Sequence, residues 1–158
     1  MQVEELMTKS VQCCHAADSL ELAANIMWRH DCGCVPVCAA DESTGAIGVL
    51  TDRDICMCAL FKGKPLREIS VGDAMARKIV SVRPHDSIAA AEQTMSDAQI
   101  RRLPVIDDRG ALVGILSLSD IARATAPEQT GSRRQATDLE VSDTLAAICQ
   151  PSGASAAA

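Results

Sequence analysis

Aromatic side chains are almost missing, with one Trp, one Phe and no Tyr in 158 residues. Ring stacking could not hold a planar ligand here, so aliphatic side chains would have to grip it. Basic charge is also short. Fifteen Lys and Arg face 21 Asp and Glu, the net charge is −6, and no basic run occurs, which argues against a nucleic-acid partner. No apolar stretch approaches the roughly 20 residues of a membrane span. The opening MQVEELMTKS lacks the basic-then-apolar layout of a secretory signal, so a cytoplasmic location is expected. Catalytic signatures are wanting too: no Ser-His-Asp or Cys-His arrangement, P-loop or glycine-rich dinucleotide fingerprint is found, so neither an enzyme nor a cofactor is expected. What remains is globular, 47 % hydrophobic and 23 % charged, and long enough for one domain or two very small ones.

The chain repeats itself. At an offset of 68, Val3, Met7, Asp18, Ser19, Ala23, Met27, Pro36 and Val37 fall on identical residues of a second copy, Val71 to Val105. At an offset of 66, Gly48, Leu50, Asp54 and Ile55 fall on Gly114, Leu116, Asp120 and Ile121. Twelve identities in order, separated by one two-residue difference in a loop, mark a tandem duplication. Each copy reads β-α-β-β-α, an α/β (α+β) pattern. A short strand (11–14; 79–82) precedes a helix opened by Asp18 or Asp86 as N-cap. A hairpin follows (34–38 with 46–50; 103–106 with 111–116), its turns being DEST-G and DDRG. A second helix then starts at Thr51 or Ser117. The first domain is read as 3–62 and the second as 71–126, joined through the turn-rich Lys62-Gly63-Lys64-Pro65. The tail, 127–158, carries one short amphipathic helix at 138–148 and an end expected to be disordered.

The sharpest local signal is the pair GVLTDRD (48–54) and GILSLSD (114–120). One reading is structural: Thr51 and Ser117 cap a helix and the Asp three residues on completes a capping box, although Asp is short for that reach. The other is a ligand site. A helix N-terminus offers unpaired N–H groups to an anion, and a carboxylate one turn in can accept both hydroxyls of a ribose. The two readings are compatible.

Together with VPVC and LPVI, and the helix openers DSLELA and DSIAAA, these motifs make residues 3–126 resemble a tandem pair of CBS (cystathionine-β-synthase) domains. The second copy, RRLPVIDDRGALVGILSLSD, is similar to the last repeat in the γ subunit of AMP-activated protein kinase. The resemblance implies two units packed sheet to sheet with pseudo-twofold symmetry, leaving two clefts for adenosine compounds: AMP, ADP, ATP, S-adenosylmethionine or NAD. It puts ribose on Asp54 and Asp120, hydroxyl contacts on Thr51 and Ser117, and phosphate on Arg102 and Arg101, with Arg53 a partial substitute in the first copy. The Asp120 cleft would be walled by residues 32–34 and the lead-in to the first strand. The Asp54 cleft would be walled by Ile100, Arg101 and 79–81. Asp120 with Arg102 would be the more phosphate-competent, with adenine between Val11, Val35, Ile79 and Leu103. The resemblance also implies a homodimer, to which Ile55, Met57, Ala59 and Leu60 could contribute, and a protein partner in trans that responds to the ligand.

Eight cysteines leave a different function open, a redox or zinc-responsive sensor. Cys13 and Cys38, on strands expected to be neighbours, could form a disulfide. Cys32 and Cys34, a C-x-C expected on one strand face, are the metal candidates, against the reading that they pack as small hydrophobes and no metal binds. His15 and His85 are expected at the surface.

Overall fold

The computed structural model describes residues 1–40, 45–125 and Leu145. The expected tail helix at 138–148 therefore lies outside the described residues except for Leu145, as does DEST, 41–44, of the first hairpin's turn. The elements in chain order are α1 (Val3–Leu6), β1 (Cys14–His15), α2 (Leu20–Arg29), β2 (Cys34–Cys38), β3 (Ala46–Thr51) and α3 (Asp52–Lys62). After a 3-10 turn at Leu66–Glu68 come α4 (Val71–Ala74), α5 (Ile88–Ala98), β4 (Arg102–Ile106), β5 (Leu112–Ser117) and α6 (Leu118–Thr125).

In both copies the first long helix forms where apolar residues recur at helical spacing: Leu20, Ala23 and Met27 of α2, and Ala91 and Met95 of α5, are buried. The N-caps differ from the expected Asp18 and Asp86 by one residue. Ser19 and Ser87 accept the N–H of Leu22 and Ala90, each at 3.2 Å. The preceding carboxylates instead close the entry turn, taking the N–H of His15 at 2.7 Å and of Arg83 at 2.8 Å. A short hydroxyl suits the cap, and the aspartate satisfies a turn donor that would otherwise face water alone.

The hairpins form as expected. Cys34 stands opposite Thr51 and Val37 opposite Gly48; Arg102 stands opposite Ser117 and Val105 opposite Gly114. The residue that opens each central strand is thus the cross-strand neighbour of the motif hydroxyl. The expected first strands are much shorter. In the first copy only β1 pairs, parallel to β2, and in the second a single bridge joins Val82 to Val105.

The shortening has a topological cause: the copies exchange their N-terminal arms. Thr8 and Ile115 trade backbone hydrogen bonds at 2.9 and 3.0 Å, and Ala76 and Val49 do the same at 2.9 and 3.0 Å. Val3 is fully buried with Met95, Leu103 and Leu116, in the second copy's core. Ile69, Val71 and Met75 complete the first copy's core with Leu20, Val35 and Leu50. Residues 9–13 must cross from one sheet to the other and cannot stay in a ladder. The exchange also explains the glycine that opens each motif. A Cβ on Gly48 would lie 2.9 Å from the Ala76 carbonyl oxygen, and one on Gly114 3.0 Å from both Met7 Cγ and the Thr8 oxygen. No helix among the described residues is long and apolar enough to cross a membrane.

Candidate ligand-binding cleft

Each motif places a carboxylate at a helix start and locks it there. Thr51 donates its backbone N–H (2.9 Å) and its hydroxyl (2.6 Å) to Asp54 Oδ2, and its Oγ1 accepts the Asp54 N–H at 3.2 Å. Ser117 does the same for Asp120, at 2.8, 2.6 and 3.2 Å. Asp does reach the capping-box position, since the hydroxyl meets it part-way and one oxygen takes both donors. The second oxygen is left for other partners. Asp120 gives it to Arg123, one turn on along α6. In the first copy the place of Arg123 is taken by Met57, and that of Arg102 by Cys34. The two carboxylates thus have matching caps and different charge environments.

A cleft of about 390 Å³ opens in front of Asp120. One wall is the crossing segment, with Ser10, Val11 and Gln12, followed by the stretch from His30 to Cys34. The other is built by Arg102, Ile115, Ser117, Asp120 and Arg123 of the second copy. Cations and anions share it, Arg102 and Arg123 against Asp31 and Asp120. Asp31 is held in a left-handed conformation (φ 48°) just past α2, as is its counterpart Gln99 (φ 53°) past α5. A Cβ on Gly33 would lie 2.9 Å from Asp52 Oδ2 of its own copy and in ordinary contact, at 3.6 Å, with Arg102 Nη2 of the other. Beyond Arg102 a shallower groove of about 530 Å³ continues toward Trp28, sharing Asp31, Cys32 and Arg102 with the cleft.

Comparison with known proteins fits this geometry. The family model described as CBS domain matches residues 3–59 and 71–126. The chain belongs to the CBS domain family. Hypoxic response protein 1 of Mycobacterium tuberculosis is 35 % identical over 119 residues, 75 % of this chain and 81 % of that protein. A crystal structure of hypoxic response protein I with two coordinated zinc ions matches with a TM-score of 0.69 at 34 % identity, covering 78 % of this chain and 98 % of that one. The CBS domain pair of protein MJ0100, in complex with 5′-methylthioadenosine and S-adenosyl-L-methionine, matches with a TM-score of 0.69 at 26 % identity, covering 78 % and 94 %. The mitochondrial protein CBSX3 of Arabidopsis thaliana is 32 % identical over 117 residues, 73 % of this chain; the chain spans 56 % of its length.

Within this CBS pair the structure brings Ser117, Asp120 and Arg102 together with the wall expected from residues 32–34 and the lead-in to the first strand. Arg53 and Arg101 are exposed and do not line the cleft. The Arg101 carbonyl instead takes the Leu118 N–H at 2.9 Å, as the Gly33 carbonyl takes that of Asp52 at 3.3 Å, a backbone role that asks nothing of the side chain. Val35 and Leu103 are fully buried in their own cores and offer no face to a ligand. Val11 and Ile115 supply the cleft's aliphatic surface. Of the helix positions offered for a dimer, Ile55 is buried and Leu60 is exposed. His30, Asp31 and Arg123 were missed. Only Arg123 carried a signal, the i,i+3 spacing from Asp120 that pairs opposite charges on a helix.

The cysteines are free thiols among the described residues. Cys13 is a neighbour of Cys38, and burial together with that thiol pushes the Cys38 thiol up. Their contact is diagonal, since β1 places His15, not Cys13, opposite Cys38. The C-x-C stretch does not form one strand face: Cys32 precedes β2 and only Cys34 lies on it. Burial pushes the Cys34 thiol up to about 12, with Arg102 opposing. A thiol that resists ionisation is a poor metal ligand. No group of three or more His, Cys, Asp or Glu among the described residues could hold a metal ion. His15 and His85 are at the surface, His85 against Glu4 at 3.4 Å.

Proposed function

We propose that this CBS pair is a cytoplasmic regulatory module that binds an adenosine nucleotide in the Asp120 cleft and passes its occupancy to a protein partner. The observation that carries the reading is a fixed carboxylate at the start of α6 sharing one cleft with two arginines. Ribose hydroxyls would donate to Asp120, phosphate would meet Arg102 and the Ser117 hydroxyl, and adenine would lie against Val11 and Ile115. MJ0100, crystallised with two adenosine compounds, supports the ligand class. Because the walls come from different copies, a bound nucleotide would tie them together, and that is the change a partner could read. Asp54, without a cation equivalent to Arg102 or Arg123, would be the weaker site for phosphate. A homodimer is supported by Trp28, Leu60 and Phe61, which expose 86, 69 and 80 % of their surface on the adjoining helices α2 and α3.

A second reading, cysteine-based redox sensing, is favoured by one specific observation, the contact between Cys13 and Cys38. The zinc form of that reading has less behind it, since the described residues hold no group of three or more ligands. Thermal unfolding with AMP, ADP, ATP, S-adenosylmethionine, NAD and zinc separates these readings. A ligand at a hundred times its dissociation constant adds about 2.7 kcal/mol, which is roughly 5–10 °C for a chain of this size. Stabilisation by an adenosine compound that Asp120→Ala abolishes supports the nucleotide reading. A curve moved only by zinc or by an oxidising disulfide would replace it with the cysteines.

A further inference from the structure

Besides Arg102, the charge arrangement around Asp120 differs from that around Asp54 by an ion pair the motif does not contain. Both carboxylates take two donors from their cap residue on Oδ2. Asp120 also holds an ion pair on Oδ1 with Arg123. Its side chain is 8 % exposed and that of Arg123 is 72 % exposed. Oδ2 is therefore filled and Oδ1 half-filled, and the Oδ1 partner is a long side chain that can swing through solvent at little cost. Asp120 and Arg123 both line the cleft, as does Arg102.

We propose that Arg123 is a specificity-determining latch that admits anionic, phosphate-bearing nucleosides to the Asp120 cleft and disfavours uncharged or cationic ones. The inference rests on the nucleotide reading given above and names the ligand class within it. A ribose diol brings two donors to Oδ1, where Arg123 already holds one of the two acceptor sites, so full engagement of both hydroxyls displaces the Arg123 guanidinium. An uncharged nucleoside offers that guanidinium nothing in return, so its binding is charged with a broken ion pair. A nucleoside phosphate brings an acceptor to the same cleft. The displaced guanidinium, with its planar fork of donors, then exchanges a carboxylate for a phosphate. S-adenosylmethionine would set its own positive charge beside Arg102 and Arg123. The first copy, with Met57 at the matching position, has no such latch.

The test is calorimetric titration of the full chain with AMP, adenosine and 5′-methylthioadenosine, on wild type, Arg123→Met and Arg123→Lys. Arg123 is exposed, so neither variant is expected to unfold, and circular dichroism checks this. Wild type is expected to bind AMP at least about tenfold more tightly than adenosine, and Arg123→Met to weaken AMP by about tenfold or more, the loss of one charge-assisted bond. Adenosine and 5′-methylthioadenosine should bind Arg123→Met as well as wild type or better. Arg123→Lys keeps a positive charge and should retain most of the AMP preference. A wild-type AMP-to-adenosine ratio preserved in Arg123→Met overturns the latch, as does equal weakening of all three ligands. A wild type that binds adenosine and AMP alike, with both lost in Asp120→Ala, overturns the latch while leaving the nucleotide reading intact. A wild type that binds none of the three overturns the latch, and one that ADP, ATP, S-adenosylmethionine and NAD also fail to stabilise ends the nucleotide reading with it.

Discussion

Replacing Val3 by Ala should loosen the half of the molecule to which Val3 does not belong in sequence. Val3 is fully buried, and its neighbours are Met95, Leu103 and Leu116 of the second copy. The substitution removes two buried carbons, at about 0.8 kcal/mol each. The arm is held by backbone hydrogen bonds from Val3 to Asp86 and from Glu4 to Pro84, both at 3.0 Å, so it cannot collapse freely into the space. With the residual cavity the cost comes to roughly 2–3 kcal/mol. Urea unfolding gives the magnitude, and amide hydrogen exchange gives the location. Amides of β4 and β5 should lose protection while those of β2 and β3 keep theirs. The mirror variant, Val71→Ala, should do the reverse, since Val71 is fully buried in the first copy's core. If Val3→Ala exposed β2 and β3 first, or cost less than about 0.5 kcal/mol, the arm exchange would be refuted.

Two further outcomes follow from the packing. Gly114→Ala forces a Cβ to 3.0 Å from Met7 Cγ and the Thr8 oxygen, and should lower stability by about 1–3 kcal/mol in thermal unfolding. Because part of the clash is with a flexible side chain, Met7→Ala should recover some of that loss, and an unchanged Gly114→Ala would count against the contact. Alkaline pH should also unfold the protein. Burial raises the thiol of Cys14 from 9.0 to about 11 and that of Cys34 to about 12, so the folded chain holds protons that the unfolded chain releases. Their contribution is complete below pH 9 and falls as pH rises toward 12, by about 1 kcal/mol per pH unit for each thiol. Cys34→Ala should flatten that slope in urea titrations above pH 9 by about one proton, and an identical slope would contradict it.

The duplication, both hairpins and the position of the two Asp carboxylates were legible because they depend on local pattern: alternation, turn chemistry and a repeated motif. The arm exchange was not. Val3 and Val71 are identical in the sequence whether each arm packs on its own copy or on the other, since an internal repeat is symmetric with respect to that choice. The shortened strands follow from the same ambiguity, because residues 9–13 look like strand until it is known that they must cross. Val35 and Leu103 are ligand walls on the resemblance but core residues in the fold, Val35 on a strand whose every residue is buried, so no alternation marks a ligand-facing side. The N-caps slipped by one residue because Asp and Ser are adjacent and both can cap. Arg123 lies outside the motif, and its pairing depends on the rotation of α6 as well as on spacing.

The measurement that bears most directly on the nucleotide reading is calorimetric titration of AMP into wild type, Asp54→Ala and Asp120→Ala under one buffer condition. Binding by wild type and by Asp54→Ala, with loss in Asp120→Ala, is the expected result. No binding by wild type, or unchanged affinity in Asp120→Ala, would contradict binding of AMP in the Asp120 cleft.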